Sequence, residues 1–161
     1  MSYPPSVIFV CWGNICRSPM AERVARRWLA DAGVAARVTS AGVSDEEGFA
    51  PMDSRARTVL EAHGYDAAGH RAHQIDAEEI RGADLVIAAE PMHLTMLRRM
   101  APHATNLRLI CDYDPAKKRG TALPDPWYGP DQQFTATLQA IEAAMPGIVD
   151  AVSKLPDRLA P

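Results

Sequence analysis

Cysteine is scarce and odd in number, three in 161 residues, which excludes the disulfide scaffold that holds small secreted domains together. An excess of basic charge is also missing. The 17 Lys and Arg are outweighed by 20 Asp and Glu, for a net charge of −3, whereas a nucleic-acid surface needs clustered cations. The one basic run, Lys117-Lys118-Arg119, is short and reads as solvated surface. No apolar run approaches the ~20 residues that cross a bilayer, and the opening MSYPPSVIFVCWGN lacks the basic start and long apolar stretch of a secretion signal. The expectation is a cytoplasmic protein without nucleic-acid or membrane partners. Histidines 63, 73, 93 and 103 show no ligand spacing with the cysteines, so no metal or other cofactor is expected. A monomer is the simplest expectation for its assembly.

What is present fits one ordinary domain spanning residues 1–161, with 47% hydrophobic and 23% charged residues. Ser6 to Val10 is a short β-branched and aromatic run between Pro4-Pro5 and Gly13, the pattern of a buried strand. Ser18-Pro19 predicts the cap and first turn of a helix running to Gly33. Further strands are predicted at 38–40, 85–89 and 107–110. Helices are predicted after the Asp53-Ser54 cap, for one turn after Asp76, around 92–100 with Met92, Met96 and Met100 as a core stripe, and from Phe134 to Val152 with a kink or split at Pro146. Residues 112–130 are expected as a long ordered loop, and Cys111 as a buried strand residue. Strands alternating with helices imply an α/β fold: a central four-stranded parallel sheet with helices on both faces and ligands at the strand C-termini.

The segment Cys11-Trp12-Gly13-Asn14-Ile15-Cys16-Arg17-Ser18-Pro19 joins the first strand to the first helix. A Cys six residues before an Arg is weak evidence alone, but the context strengthens it. A short loop leading into a helix N-terminus gathers backbone N–H groups and the positive end of the helix dipole, which favours an anion. Arg17 adds a planar pair of donors suited to phosphate. In that field Cys11 is expected to be a thiolate and so a nucleophile. Gly13 permits close backbone approach and Asn14 tolerates the left-handed conformation that a loop wrapping an anion needs. Residues 12 to 18 are therefore the candidate phosphate-binding loop. Ser18 is expected to cap the helix and to assist the leaving thiolate.

These residues resemble the signature loop of the low-molecular-weight protein tyrosine phosphatases, in which Cys, five residues, Arg and Ser enclose Gly-Asn-Ile-Cys and are followed by proline. The distant Asp-Pro with two aromatics of that family is matched by Asp125-Pro126-Trp127-Tyr128. On its own, Asp125 reads as readily as a turn cap before proline. The resemblance implies that it is the general acid, then the base for the hydrolytic water. It further implies that Ser40 and His70 support Asn14, and that Cys16 forms a reversible disulfide with Cys11, against the plainer reading of Cys16 as packing behind the loop. The family commonly has an aromatic wall six positions after Ser40, where this chain has Glu46. Trp12, Trp127 and Tyr128 then form the remaining wall.

The implied activity is hydrolysis of phosphotyrosine in proteins or peptides, and of small aryl phosphates. Ile15 supports it, because relatives acting on phosphoarginine carry threonine there. Two rivals remain at this level. Arsenate reduction uses a similar loop but needs further cysteines as a relay, and 76–100 has none. A non-catalytic phosphotyrosine-binding module would keep the pocket without needing Asp125.

Overall fold

The computed structural model describes residues 2–159. Along the chain it forms β1 (Ser2–Tyr3), β2 (Ser6–Cys11), α1 (Arg17–Asp31), β3 (Arg37–Gly42), α2 (Ser54–Ala62) and α3 (Ala77–Gly82). There follow β4 (Leu85–Ala88), α4 (Pro91–Met100), β5 (Leu107–Leu109), a 3-10 turn (Ile110–Tyr113), α5 (Gln132–Ser153) and β6 (Arg158–Leu159). Strands β3-β2-β4-β5 make a four-stranded sheet in that order, every pair parallel, while β1 and β6 close a small antiparallel ribbon. The expected α/β architecture stands.

Side-chain alternation along β2 builds two cores. Val7 and Phe9 pack with residues of α1, α2 and α5, while Ile8 and Val10 pack with α3 and α4. A one-residue slip of β2 would exchange the two sets, so the register is strongly fixed. Truncating Phe9, which is 1% exposed, to alanine is a cavity-forming change of about 3–5 kcal/mol. The chain crosses to β3 on one side of β2 and to β4 on the other. The C-terminal ends of β2 and β4 therefore flank the switch point where parallel sheets hold their ligands.

Several local expectations need correction. Helix α1 begins at Arg17, its N-cap position is Cys16, and Cys16 makes no side-chain capping bond. Ser18 therefore lies inside the first turn, and its hydroxyl turns to the loop instead. Cys111 is buried in the 3-10 turn after β5, not in a strand. Helix α5 is not split at Pro146 but runs through it as one helix, with Met145 and Ile148 on either side both 0% exposed. The methionine stripe of α4 is only partly core, since Met92 is half exposed while Leu94, Leu97 and His93 are buried. Asp53 and Asp76 do cap α2 and α3, through the amides of Arg55 and Glu79.

Candidate active site

The loop from Trp12 to Cys16 leaves β2 and feeds α1, and its shape is fixed chiefly through Asn14. That residue has φ 61°, the left-handed region that costs an ordinary L-residue roughly 1–2 kcal/mol. Its amide Nδ2 donates to Ser18 Oγ at 2.8 Å and Ser40 Oγ at 3.0 Å, and its Oδ1 accepts from the His73 amide at 3.1 Å. Its carbonyl accepts from His70 Nε2 at 2.6 Å, which places the ring proton on that nitrogen. Burial pulls the His70 pKa down and favours the neutral ring. Ser40 in turn donates to the buried carboxylate of Glu22 at 3.1 Å, which also receives Arg23 Nε at 2.6 Å. The loop also lies flat on the end of β3. A Cβ on Gly42 would stand 2.7 Å from the Trp12 carbonyl oxygen, so only glycine permits this approach.

Cys11, the last residue of β2, has its Sγ 3.0 Å from Ser18 Oγ. Ser18 already accepts from Asn14, so its single proton serves either the Ala41 carbonyl at 3.3 Å or the sulfur. When the sulfur carries negative charge, the nearer, charge-assisted bond is the stronger. Among the described residues, none of the backbone amides of residues 12 to 16 donates to a protein acceptor. Arg17 is 3% exposed. Its Nη1 donates to Glu90 Oε2 and to the Leu123 carbonyl, both at 2.8 Å, and its Nη2 faces Asp125 Oδ2 at 3.5 Å. One Asp125 oxygen caps the following turn by accepting from the Trp127 amide at 3.1 Å. The other looks toward Arg17.

These groups line one cleft of about 310 Å³, the size of a small-ligand site. The loop and helix start contribute Cys11, Trp12, Gly13, Ile15, Cys16 and Arg17 to its lining, and more distant segments contribute Glu46, Glu90, Met92, His93, Asp125, Trp127 and Tyr128. A larger hollow of about 720 Å³ lies at the opposite, N-terminal edge of the sheet near Tyr3, Arg37 and Arg158. It has no cysteine, so the smaller cleft is the chemically competent one. No group of three or more His, Cys, Asp or Glu side chains suited to a metal ion occurs among the described residues.

The loop that carries Asp125 is clamped from α2. Arg55 pairs with Asp53 Oδ2 at 3.0 Å, donates to the Trp127 carbonyl at 3.2 Å, and lies 5.4 Å from the Trp127 ring centroid. Burial works against the Asp53 carboxylate, but hydrogen bonds and charge from Arg55 outweigh it and hold its pKa below the usual range. Asp53 also donates its amide to the Ile15 carbonyl at 2.9 Å, tying this clamp to the loop. Burial, with Asp53 and Cys11 nearby, pushes the Cys16 thiol well above its ordinary value, so Cys16 stays a neutral thiol.

Residues 6–157 match the family model described as low molecular weight phosphotyrosine protein phosphatase. The chain belongs to that family. Low molecular weight protein-tyrosine phosphatase A of Mycobacterium tuberculosis is 41% identical over 96% of this chain and 95% of its own. A low molecular weight protein-tyrosine-phosphatase of Streptomyces coelicolor is 43% identical over 91% of this chain and 92% of its own. Among solved structures, a low molecular weight phosphotyrosine phosphatase from Vibrio cholerae superposes with a TM-score of 0.85 at 28% identity, over 93% of this chain and 97% of that one.

Of the residues singled out in the sequence of this low-molecular-weight phosphatase, Cys11, Arg17 and Asp125 share the cleft with Trp12, Glu46, Trp127 and Tyr128. Ser18, Ser40 and His70 lie within hydrogen-bond reach of Asn14. Glu46 accepts from Trp12 Nε1 at 3.0 Å, so the two wall residues act as a pair. Sequence reasoning gave no role to Glu90, Gly42, Glu22 or His93. The signal for Glu90 was its place immediately after the third predicted strand, at the sheet end where ligands bind.

Proposed function

We propose that this chain hydrolyses phosphotyrosine in proteins and peptides, and small aryl phosphates, in two steps through phosphorylated Cys11. One observation carries this reading: a buried cysteine, a buried arginine and a half-exposed aspartate meet in one cleft, with a hydroxyl 3.0 Å from the sulfur. In the first step a sulfur electron pair attacks phosphorus in line with the tyrosine oxygen. The loop amides and Arg17 hold the three outer oxygens. As the P–O bond breaks, protonated Asp125 gives its proton to the departing oxygen. In the second step Asp125 takes a proton from water, the water oxygen bonds to phosphorus, and the P–S electron pair returns to Cys11. Ser18 stabilises the departing sulfur through its hydroxyl.

Trp12, Trp127, Tyr128 and Met92 line the walls and offer apolar surface to an aryl ring, which supports phosphotyrosine over aliphatic phosphates. Cys111 does not line the cleft, so Cys16 is the one thiol there besides Cys11, which weakens the arsenate-reductase reading, since that chemistry needs further cysteines as a relay. A reducing, cytoplasmic setting and a monomeric state complete the proposal. The reducing setting is supported by the free Cys11 thiol that the reaction needs. Aryl phosphate hydrolysis by wild type, Cys11→Ser and Asp125→Asn tests the reading. Asp125→Asn is expected to lose about two to four orders of magnitude in rate, the scale of a general acid, and Cys11→Ser to bind but not turn over. Wild-type rates in Cys11→Ser would overturn it.

A further inference from the structure

His93 is a buried imidazole for which the two-step reaction has no stated use. It stands in the first turn of α4, its amide bonded to the Glu90 carbonyl at 3.0 Å. It is 0% exposed and lines the same cleft as Cys11, Arg17 and Asp125. Among the described residues neither Nδ1 nor Nε2 has a hydrogen-bond partner. A buried polar atom left unpaired costs about 1–3 kcal/mol, so two on one ring in a cleft wall point to a partner engaged during the reaction.

The charged groups around the ring are Arg17 from α1, Glu90 at the head of its own helix and Asp125 from the long loop. Two of them are already committed, since Arg17 and Glu90 bond to each other and Arg17 also bonds the Leu123 carbonyl. Asp125 is not. Its approach to Arg17 at 3.5 Å is too long for a strong hydrogen bond, and a phosphoryl group competes for the same guanidinium. The first step needs the Asp125 carboxyl to present its proton to the leaving oxygen, and a guanidinium, which only donates, cannot aim that proton. A neutral N–H donor suits it better, donating to one carboxyl oxygen in either protonation state and leaving the other free to carry the proton. Burial and the charge of Arg17 bring the His93 pKa down to about 4, so the ring is neutral at ordinary pH.

We propose that His93 is a positioning residue for the general acid, its ring N–H orienting the Asp125 carboxyl once a phosphoryl group occupies Arg17. The inference rests on the assignment of Asp125 above. The test measures kcat/KM for aryl phosphates graded from good leaving groups, such as 4-nitrophenol, to poor ones, such as phenol. His93→Leu is expected to lose about tenfold on phenyl phosphate, a fraction of a whole general acid's effect, and under about twofold on 4-nitrophenyl phosphate. His93→Asn, which restores a neutral donor, recovers most of the loss. A uniform loss across leaving groups, or none, in active His93→Leu overturns this proposal alone. Inactive wild type, or active Cys11→Ser on the same panel, overturns the phosphatase reading and this proposal with it. Wild-type protein gives a second test that is independent of how the variants fold. The His93 ring ¹⁵N shifts should move on adding inorganic phosphate and should not do so in Asp125→Ala. Identical shifts in both proteins contradict the role.

Discussion

The cradle from Cys11 to Ser18 and the rim made by residues 44–49 and 127–128 border the same cleft but are held in opposite ways. In the cradle, Asn14 is 0% exposed and its carbonyl and both side-chain polar atoms are occupied by Ser18, Ser40, His70 and His73. On the rim, Phe49 is 81% and Tyr128 96% exposed, and the Glu46–Trp12 bond lies at the surface. A buried, fully satisfied network has few alternative arrangements. A solvated pair does, because water replaces either partner at small cost. On the proposed mechanism the cradle sets the rate and the rim sets preference among substrates.

The comparison breaks most sharply at Cys11, the proposed nucleophile. Cys11→Ser should lower turnover by about five orders of magnitude or more, the scale seen when a covalent nucleophile is removed, measured by stopped assays on 4-nitrophenyl phosphate. Next comes Gly42→Ala. Its new Cβ would sit 2.7 Å from the Trp12 carbonyl oxygen, so the loop must move. A shift of about 1 Å costs about a hundredfold in kcat/KM, with KM and Tm also affected. A fall no greater than that of a rim variant would dissolve the distinction drawn here.

Rim changes should be smaller and of another kind. Asp53 holds Arg55, which holds the Trp127 carbonyl. Because the folded carboxyl sits below its ordinary pKa, its contribution to stability is present above the ordinary carboxylate range of about 4. It is lost as pH falls through the lower, folded value. Asp53→Asn should remove that segment of the pH dependence, so the variant's Tm falls less steeply on acidification than wild type. The smallest effect is expected from Glu46→Gln. It removes a charge beside the cleft while keeping an acceptor for Trp12, so KM for phosphopeptides rich in Asp and Glu should drop a few-fold, kcat staying constant. An equal change for neutral phosphopeptides would mean that Glu46 acts through packing, not charge.

Much of this was legible in the sequence because the cradle is local. Strand, loop and helix start are consecutive residues, so the apolar run at 6–10, the tolerance of Asn14 for φ above zero and the position of Arg17 predict their own geometry. The order of strands and helices followed from the same local patterning. Contacts that close over long separations were not legible. Glu90 meets Arg17 across 73 residues, and nothing near Gly42 in the chain announces that the loop will press on it. Ser18 was misread as a cap because Ser-Pro ahead of an apolar stripe has that local form. In the fold its hydroxyl is claimed by Asn14 and Cys11. Met92 was misread as core because helical spacing gives a face, not the edge of a cleft.

The most direct test of the account is to stop turnover of a phosphorylated tyrosine peptide within its first cycles and find where the phosphoryl group resides. Rapid mixing and quenching, followed by peptide mapping under conditions that spare the thiophosphate bond, should show it on Cys11 in wild type, enriched in Asp125→Asn, and absent from Cys16 and Cys111. Steady hydrolysis with no phosphoryl group ever recovered on Cys11 would contradict the mechanism at its centre.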